Sequence, residues 1–510
     1  MLTLIGNSAF FECTSIRSIR IPSKVQNIEY SAFTDCRKLV EIINDSSINI
    51  IAGDGYNNGG IGCYTLEVHT GDSKIVNENG YLFYSCNGQN YLIGYVGESA
   101  VITLPESYNG ADYAIKDYAF YNDTTVSEIT INAGVRVIPR YAFEECIGLT
   151  KLKITAYVED IEPFAMSCPN LISIELGENK DLKNLSANAF RGCSALESLS
   201  LPFLGSESNG YGTSCLSYLF MSVPSSLREV AITGGDAVAD YAFYNCSSIT
   251  KITLPDGIKS IGNNAFYGCS SLTEVNVSDS VVSLGDSAFS GCSSLIEINI
   301  PSGITYIPNG AFNGCSSLTS VTIPESVIGI GGSAFLDCLG LTSITIPENV
   351  KSIDYAAFFG CYNLVEVINK SSLVFEEGSS SYGGVAVYAI EVHNGDSKIV
   401  NDNGFLFYTY EGTSYLFAYA GNDTALVLPE SEGGGSYVIF RSAFHNAKGM
   451  TSIVIPTCVT KIGDSAFYYS ELLTDVYYCG TAEEWGAIEI GSSNQNLNNA
   501  TIHYNYTPAN

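Results

Sequence analysis

The dipeptide Ala-Phe returns at a fixed interval of 23 residues, at Ala242-Phe243, Ala265-Phe266, Ala288-Phe289, Ala311-Phe312, Ala334-Phe335 and Ala357-Phe358. A period this short, with apolar residues spaced L-x-x-I-x-I inside each unit, describes a unit that buries its core only by stacking on its neighbours. The chain must therefore coil into a solenoid, and its function falls to extended surfaces more than to one pocket.

One unit shows how the coil closes. Leu295-Ile296-Glu297-Ile298-Asn299-Ile300 alternates and is β-branched, so it reads as a short strand with Leu295, Ile298 and Ile300 inward. Pro301 cannot donate to a ladder, and the following Ser302-Gly303 supplies turn chemistry, so the chain bends there. After a second apolar stretch (Ile304, Ile307) a Gly, Asp or Asn precedes Ala-Phe, as a single capped helical turn would need. A period of 23 leaves no room for a full helix, so the side opposite the strand is expected to hold short turns. Phe312 is expected to stack on Phe289 and Phe335.

The marker also occurs at Phe10, Phe33, Phe120, Phe143, Phe190, Phe444 and Phe467, with degenerate forms at Ala165-Met166 and Leu219-Phe220, which gives about fifteen coils. Two gaps interrupt it, and the segments filling them are related. Gly71-Asp72-Ser73-Lys74-Ile75-Val76-Asn77 returns as Gly395-Asp396-Ser397-Lys398-Ile399-Val400-Asn401, an offset of 395 − 71 = 324. Each insert carries Asn-Gly (Asn79-Gly80, Asn403-Gly404) between apolar runs, a hairpin signal. The tracts 53–62 and 377–384, with Tyr56 and Tyr382, read as protruding loops that rival the strand face for ligand contact.

The resulting division is 1–43, N-terminal repeats that begin in mid-unit and read as a truncated start; 44–112, a hairpin-type insert continuing the solenoid; 113–366, the central array; 367–436, the duplicated insert; 437–478, C-terminal repeats; and 479–510, a cap around the single tryptophan, Trp485.

The pattern A-F-x-G-C-S-S-L-x-x-[IV]-x-I-P, as in Ala311 to Pro324, resembles the BspA-type leucine-rich repeat of bacterial and protist surface proteins, as do the ending Val476-Tyr477-Tyr478-Cys479-Gly480-Thr481 and Glu484-Trp485. The resemblance covers nearly the whole chain. It implies a β-rich leucine-rich-repeat solenoid of α/β type, a curved right-handed coil with short strands on one face and short turns on the other. It also implies a cell-surface or secreted protein that binds host, matrix or microbial protein or glycan, and it brings no shared catalytic residues.

Composition excludes other classes. With 53 acidic and 23 basic residues the formal charge is −30, which opposes binding to nucleic acid. No run of 18 or more apolar residues spans a membrane. Nucleophile-elbow, zinc-helix and phosphate-loop motifs are absent, so no cofactor, metal or catalytic residue is assigned. Asn401-Asp402-Asn403-Gly404 has some calcium-loop composition but lacks the ligand series. His69 and His393 occupy equivalent insert positions, which favours a structural role. Eleven of the sixteen cysteines (Cys13, Cys36, Cys146, Cys168, Cys193, Cys246, Cys269, Cys292, Cys315, Cys338 and Cys361) share one place in their repeats. A column of packed thiols fits that place better than a disulfide network.

The residues between the inward positions of each strand face outward. They form a polar stripe: Lys151, Lys153, Ser173, Glu175, Ser198, Ser200, Lys251, Thr253, Glu274, Asn276, Glu297, Asn299, Ser320, Thr322, Ser343 and Thr345. Of these, Lys151, Lys153, Lys251, Thr253, Glu274, Asn276, Glu297, Asn299, Ser320, Thr322, Ser343 and Thr345 are the candidate ligand-binding residues. The expected function is non-catalytic adhesion or ligand binding by a monomer. The alternatives are an enzyme acting on polysaccharide through a carboxylate pair, and a spacer that projects another module.

Overall fold

In most of the described coils the L-x-x-I-x-I segment is a strand that pairs in parallel with its counterpart one repeat away. In the computed structural model the described residues are 2–204, 215–421, 423–445, 447 and 449–508. Met1, where the mid-unit start is expected, and residues 509–510 of the expected cap lie outside them. The chain is a β-solenoid of about 21 turns. The marker count of about fifteen falls short because turns without Ala-Phe also contribute, among them Glu67–His69 and Val101–Thr103 in the first insert.

The chain forms two compact units, Met1–Ser278 and Asp279–Asn510. In the first unit eight strands make one sheet: Val101–Thr103, Glu128–Ile131, Lys151–Ile154, Ser173–Glu175, Ser198–Leu201, Glu229–Ile232, Lys251–Thr253 and Glu274–Val275. Parallel register aligns Ile129, Leu152, Ile174, Leu199, Val230 and Ile252 in one inward row. All six are buried. In the second unit Glu297–Asn299 pairs with Ser320–Thr322, and Ser343–Ile346 pairs with Glu366–Asn369.

The turns behind the strands are also ladders. Phe312 stacks between Phe289 (5.7 Å) and Phe335 (5.3 Å) as expected, and its amide donates to the Ala334 carbonyl of the next coil at 2.8 Å. Truncating such a buried Phe costs about 3 to 5 kcal/mol. The bend after the strand is closed locally, the Ile304 amide donating to Pro301 O and the Val327 amide to Pro324 O, both at 3.0 Å. The residue before Ala-Phe is no helix cap. It adopts the left-handed conformation, even where it is Tyr118 (φ 63°) or Tyr141 (φ 60°). Bulky side chains resist that region. Here the rings are held by stacking, Tyr118 on Tyr141 at 5.1 Å and Tyr141 on Phe164 at 5.9 Å.

The cysteine column does more than fill space. Most of its thiols donate to a Phe carbonyl of the preceding coil, as Cys146 to Phe120 (3.0 Å), Cys269 to Phe243 (3.1 Å), Cys315 to Phe289 (3.2 Å) and Cys361 to Phe335 (3.1 Å). Ser470 holds the same place and makes the same bond, to Phe444 O at 2.7 Å. No disulfide forms among the described residues. Burial pushes Cys193, Cys269 and Cys315 up to about 12, so they stay thiols at neutral pH.

Both inserts form hairpins. Asn79 and Gly80 (φ 53° and 91°) join Val76–Glu78 to Tyr81–Cys86, and Asn403 and Gly404 (φ 52° and 91°) do the same in the second copy. Positive φ at both positions is what a two-residue hairpin turn needs. The last hairpin strands, Gln89–Tyr95 and Thr413–Tyr419, return to parallel pairing with Ala114–Ile115 and Tyr437–Ile439. At the C-terminal end the helix Ala482–Ala487 starts with a capping box between Thr481 and Glu484. It brings Trp485 onto Tyr478 at 5.2 Å, inside the core.

Candidate ligand-binding face

In the first unit two outward rows cross the sheet. One holds Glu128, Lys151, Ser173, Ser198, Glu229, Lys251 and Glu274; the other holds Thr130, Lys153, Glu175, Ser200, Ala231 and Thr253. Their centres are small, Ser173 and Ser198 in one row and Ser200 and Ala231 in the other, while longer charged residues flank them. The consequence is a trough of about 210 Å³ over four adjacent strands, lined by Ser173, Ser198, Ser200, Glu229, Lys251 and Thr253 among others.

The flanking charges are tied to one another. Lys151 Nζ lies 2.7 Å from Glu175 Oε1, Lys153 Nζ 3.2 Å from Glu178 and 3.8 Å from Glu175, and Lys251 Nζ 2.7 Å from Glu274. The hydrogen bond that Lys151 donates to Glu175 raises the pKa of Lys151, and the one Lys251 donates to Glu274 raises that of Lys251. Exposed pairs of this kind add little stability. They do fix long side chains along the edges of the trough.

Of the twelve candidates, Lys251 and Thr253 line the trough, and Lys151, Lys153 and Glu274 border it as ion-pair partners. Asn276 lies just beyond the strand Glu274–Val275 and serves the backbone: its Oδ1 accepts the Leu254 amide at 2.8 Å and its Nδ2 donates to Leu254 O at 2.9 Å. Glu297, Asn299, Ser320 and Thr322 are exposed on their strands in the second unit, and Ser343 and Thr345 are half-buried. Sequence reading missed Glu229 and Ala231, because no regular Ala-Phe marker precedes them. The spacing Leu227-x-x-Val230-x-Ile232 was the available signal.

In each insert one outward carboxylate is covered. Glu41 and Glu366 occupy outward row positions, opposite Ser18 and Ser343 respectively, yet both are fully buried. Glu41 Oε1 accepts the Lys74 amide (2.6 Å) and faces His69 Nε2 (2.9 Å), while Oε2 accepts the Ser18 and Ser73 hydroxyls, both at 2.6 Å. Burial alone would push this carboxyl up, but the Lys74 amide, Ser18, Ser73 and His69 together hold it below its ordinary value. In the second copy Glu366 takes the Lys398 amide (2.7 Å), Ser397 (2.5 Å) and His393 (3.1 Å). Ser, His and Glu meet here without forming a nucleophile and base, because serine and histidine both address the same buried carboxylate. A second carboxylate pins each hairpin, Tyr84 donating to Glu67 at 2.8 Å and Tyr408 to Glu391 at 2.6 Å.

The sequence profile described as "BspA type Leucine rich repeat region (6 copies)" matches residues 1–95, 113–231, 236–365 and 413–507. The chain belongs to the BspA-type leucine-rich-repeat family. Solved structures similar to this BspA-type chain include a leucine-rich cell surface protein from Faecalibacterium prausnitzii A2-165 (22% identity, 82% of this chain and 98% of that one, TM-score 0.26). Others are leucine-rich repeat proteins from Bacteroides ovatus (18%, 85% and 98%, TM-score 0.29) and Eubacterium ventriosum (20%, 61% and 98%, TM-score 0.29). No curated protein matches the chain. Among the described residues no helix is long and apolar enough to cross a membrane, and no cluster of three His, Cys, Asp or Glu is placed to hold a metal ion.

Proposed function

We propose that this BspA-type chain is a non-catalytic cell-surface or secreted protein that binds an extracellular protein or glycan through the outward strand face of its first unit. The observation that supports this most directly is the trough between Ser173 and Thr253, where small hydroxyls lie between edges fixed by Lys151–Glu175 and Lys251–Glu274 ion pairs. A shallow surface that sets hydroxyls and held charges beside apolar carbon suits a broad ligand: hydroxyls supply hydrogen bonds, and charges set orientation and encounter rate. The outward residues of the second unit from Glu297 to Thr345 extend the proposal as secondary contacts.

Screening the full chain against extracellular-matrix proteins and a glycan array tests it. Ala231→Trp fills the trough without touching the inward row and should weaken binding of any hit by about tenfold or more. Lys251→Ala should slow association and steepen nothing else. Binding that is indifferent to Ala231→Trp, or no ligand in either screen together with turnover of a glycan, would sink the reading.

A further inference from the structure

A second cavity lies elsewhere, in the second unit, beside the second hairpin. It measures about 540 Å³, within the range of small-ligand sites. One wall is a row across four paired strands, Tyr415 beside Val438, Val438 beside Lys461 and Lys461 beside Glu489. Tyr410 and Phe440 add two more rings, and Tyr415 meets Phe440 edge-on at 5.4 Å. Both Tyr410 and Phe440 rest on the buried cluster of Val365, Tyr408 and Phe417, which holds the aromatic end rigid.

The polar end is charge-balanced. Lys461 Nζ is 2.6 Å from Glu489. Arg441, also in the wall, lies over the Phe440 and Tyr388 rings at 5.2 and 5.5 Å and donates from Nη2 to Tyr388 O at 2.7 Å. Its buried Nε has no acceptor among the described residues. Asp464 supplies the second carboxylate and is oriented by Ser492, whose amide and hydroxyl donate to Oδ1 at 2.6 and 2.9 Å. Two cations and two carboxylates leave no net charge, in a chain that carries −30 overall.

Aromatic rings at one end suit an apolar C–H face, fixed donors and acceptors at the other suit hydroxyls, and charge balance favours neither a polyanion nor a polycation. We infer that this cavity is a binding site for a neutral oligosaccharide. The first insert does not share it. At positions 324 lower stand Cys86 for Tyr410, Lys116 for Phe440, Asp117 for Arg441 and Val137 for Lys461, and only Tyr91 matches Tyr415.

The test places the full chain on an array of immobilised neutral and acidic oligosaccharides and measures solution affinity for each neutral hit by calorimetry. The wild type is compared with Tyr415→Ala, Lys461→Ala, the first-insert control Tyr91→Ala and the strand-face control Lys251→Ala, each with a thermal melt. The expected result is a neutral hit weakened about tenfold or more by Lys461→Ala and Tyr415→Ala and unchanged by both controls. Lys461 is half-exposed and outside the core, so its variant remains decisive if Tyr415→Ala lowers the melt. Retention of acidic sugars alone, or no neutral sugar retained, overturns the inference. A neutral hit lost in Lys251→Ala but kept in Lys461→Ala also overturns it, and leaves the strand-face proposal standing.

Discussion

The two inserts began as one sequence pattern, and comparing them separates what holds a hairpin onto the solenoid from what the surrounding surface does. The fastening is kept. Glu41 with His69, Ser73 and the Lys74 amide is matched by Glu366 with His393, Ser397 and the Lys398 amide, and Tyr84 on Glu67 is matched by Tyr408 on Glu391. The neighbourhood is not. In the first copy Arg37 sits over Tyr118 and Tyr121 at 5.3 and 4.8 Å and bonds Glu144 at 2.6 Å. In the second, the corresponding place holds rings: Tyr362 on His445 at 5.8 Å, and His445 on Tyr468 and Tyr469 at 5.6 and 6.0 Å. Stripping a buried carboxylate of its donors is costly, so three of the four are kept in both copies, whereas a half-exposed contact can be rebuilt from ion pairs or from rings.

If the fastening is the common element, removing it should have the largest effect in both copies. Glu41→Ala removes four hydrogen bonds to a buried carboxylate and should cost about 3 to 5 kcal/mol, read from urea unfolding; Glu366→Ala, which removes three, should cost somewhat less. A cost below about 1 kcal/mol in either copy would break the comparison. Next in size, Tyr84→Phe and Tyr408→Phe each remove one hydrogen bond to a carboxylate and should lose a similar amount, about 1.5 to 3 kcal/mol. Unequal losses would show that the copies are fastened differently.

Acid should act through the same group. Glu41 has a folded-state pKa below its ordinary 4.5, so its contribution is fully present above about pH 4.5 and is lost as pH falls through the lower folded value. Stability below pH 4.5 should therefore fall more steeply in wild type than in Glu41→Gln, by at most about 1.4 kcal/mol per pH unit. A Glu41→Gln profile parallel to wild type would remove this carboxylate from the account.

The divergent surroundings predict the smallest effects. Arg37→Met should cost about 1 kcal/mol in low salt and less as ionic strength rises, because the Arg37–Glu144 pair is partly exposed. Tyr362→Ala should show no such salt dependence. The histidines offer a last distinction. His393 Nδ1 accepts the Gly395 amide at 3.1 Å, so Nε2 carries the proton toward Glu366, whereas His69 Nδ1 faces the Thr70 carbonyl at 3.0 Å. Nitrogen NMR should report His393 as the Nε2–H tautomer and His69 with a different signature; identical spectra would refute the assignment.

The repeat is local in sequence even though its contacts are not, and this decides what could be read without coordinates. A period of 23 places Phe312 next to Phe289 and Phe335 and Cys315 in one column with its counterparts, because stacking identical units aligns identical positions. Alternation within each strand likewise assigned Lys251 and Thr253 to the outward face, and Asn-Gly announced each hairpin. What no period encodes is how a non-repeating segment folds over a repeating one. Glu41 lies in the outward row by pattern, and only the return of Ser73 and Lys74, 32 and 33 residues later, buries it. The left-handed Tyr118 and Tyr141 and the cavity from Tyr410 to Glu489 were equally hidden, since each depends on side chains that meet across coils of unlike sequence. Sequence determined the coil and its core, because periodic burial has one solution; tertiary structure alone decided which parts of the polar face stay open, because that depends on where the two aperiodic hairpins land.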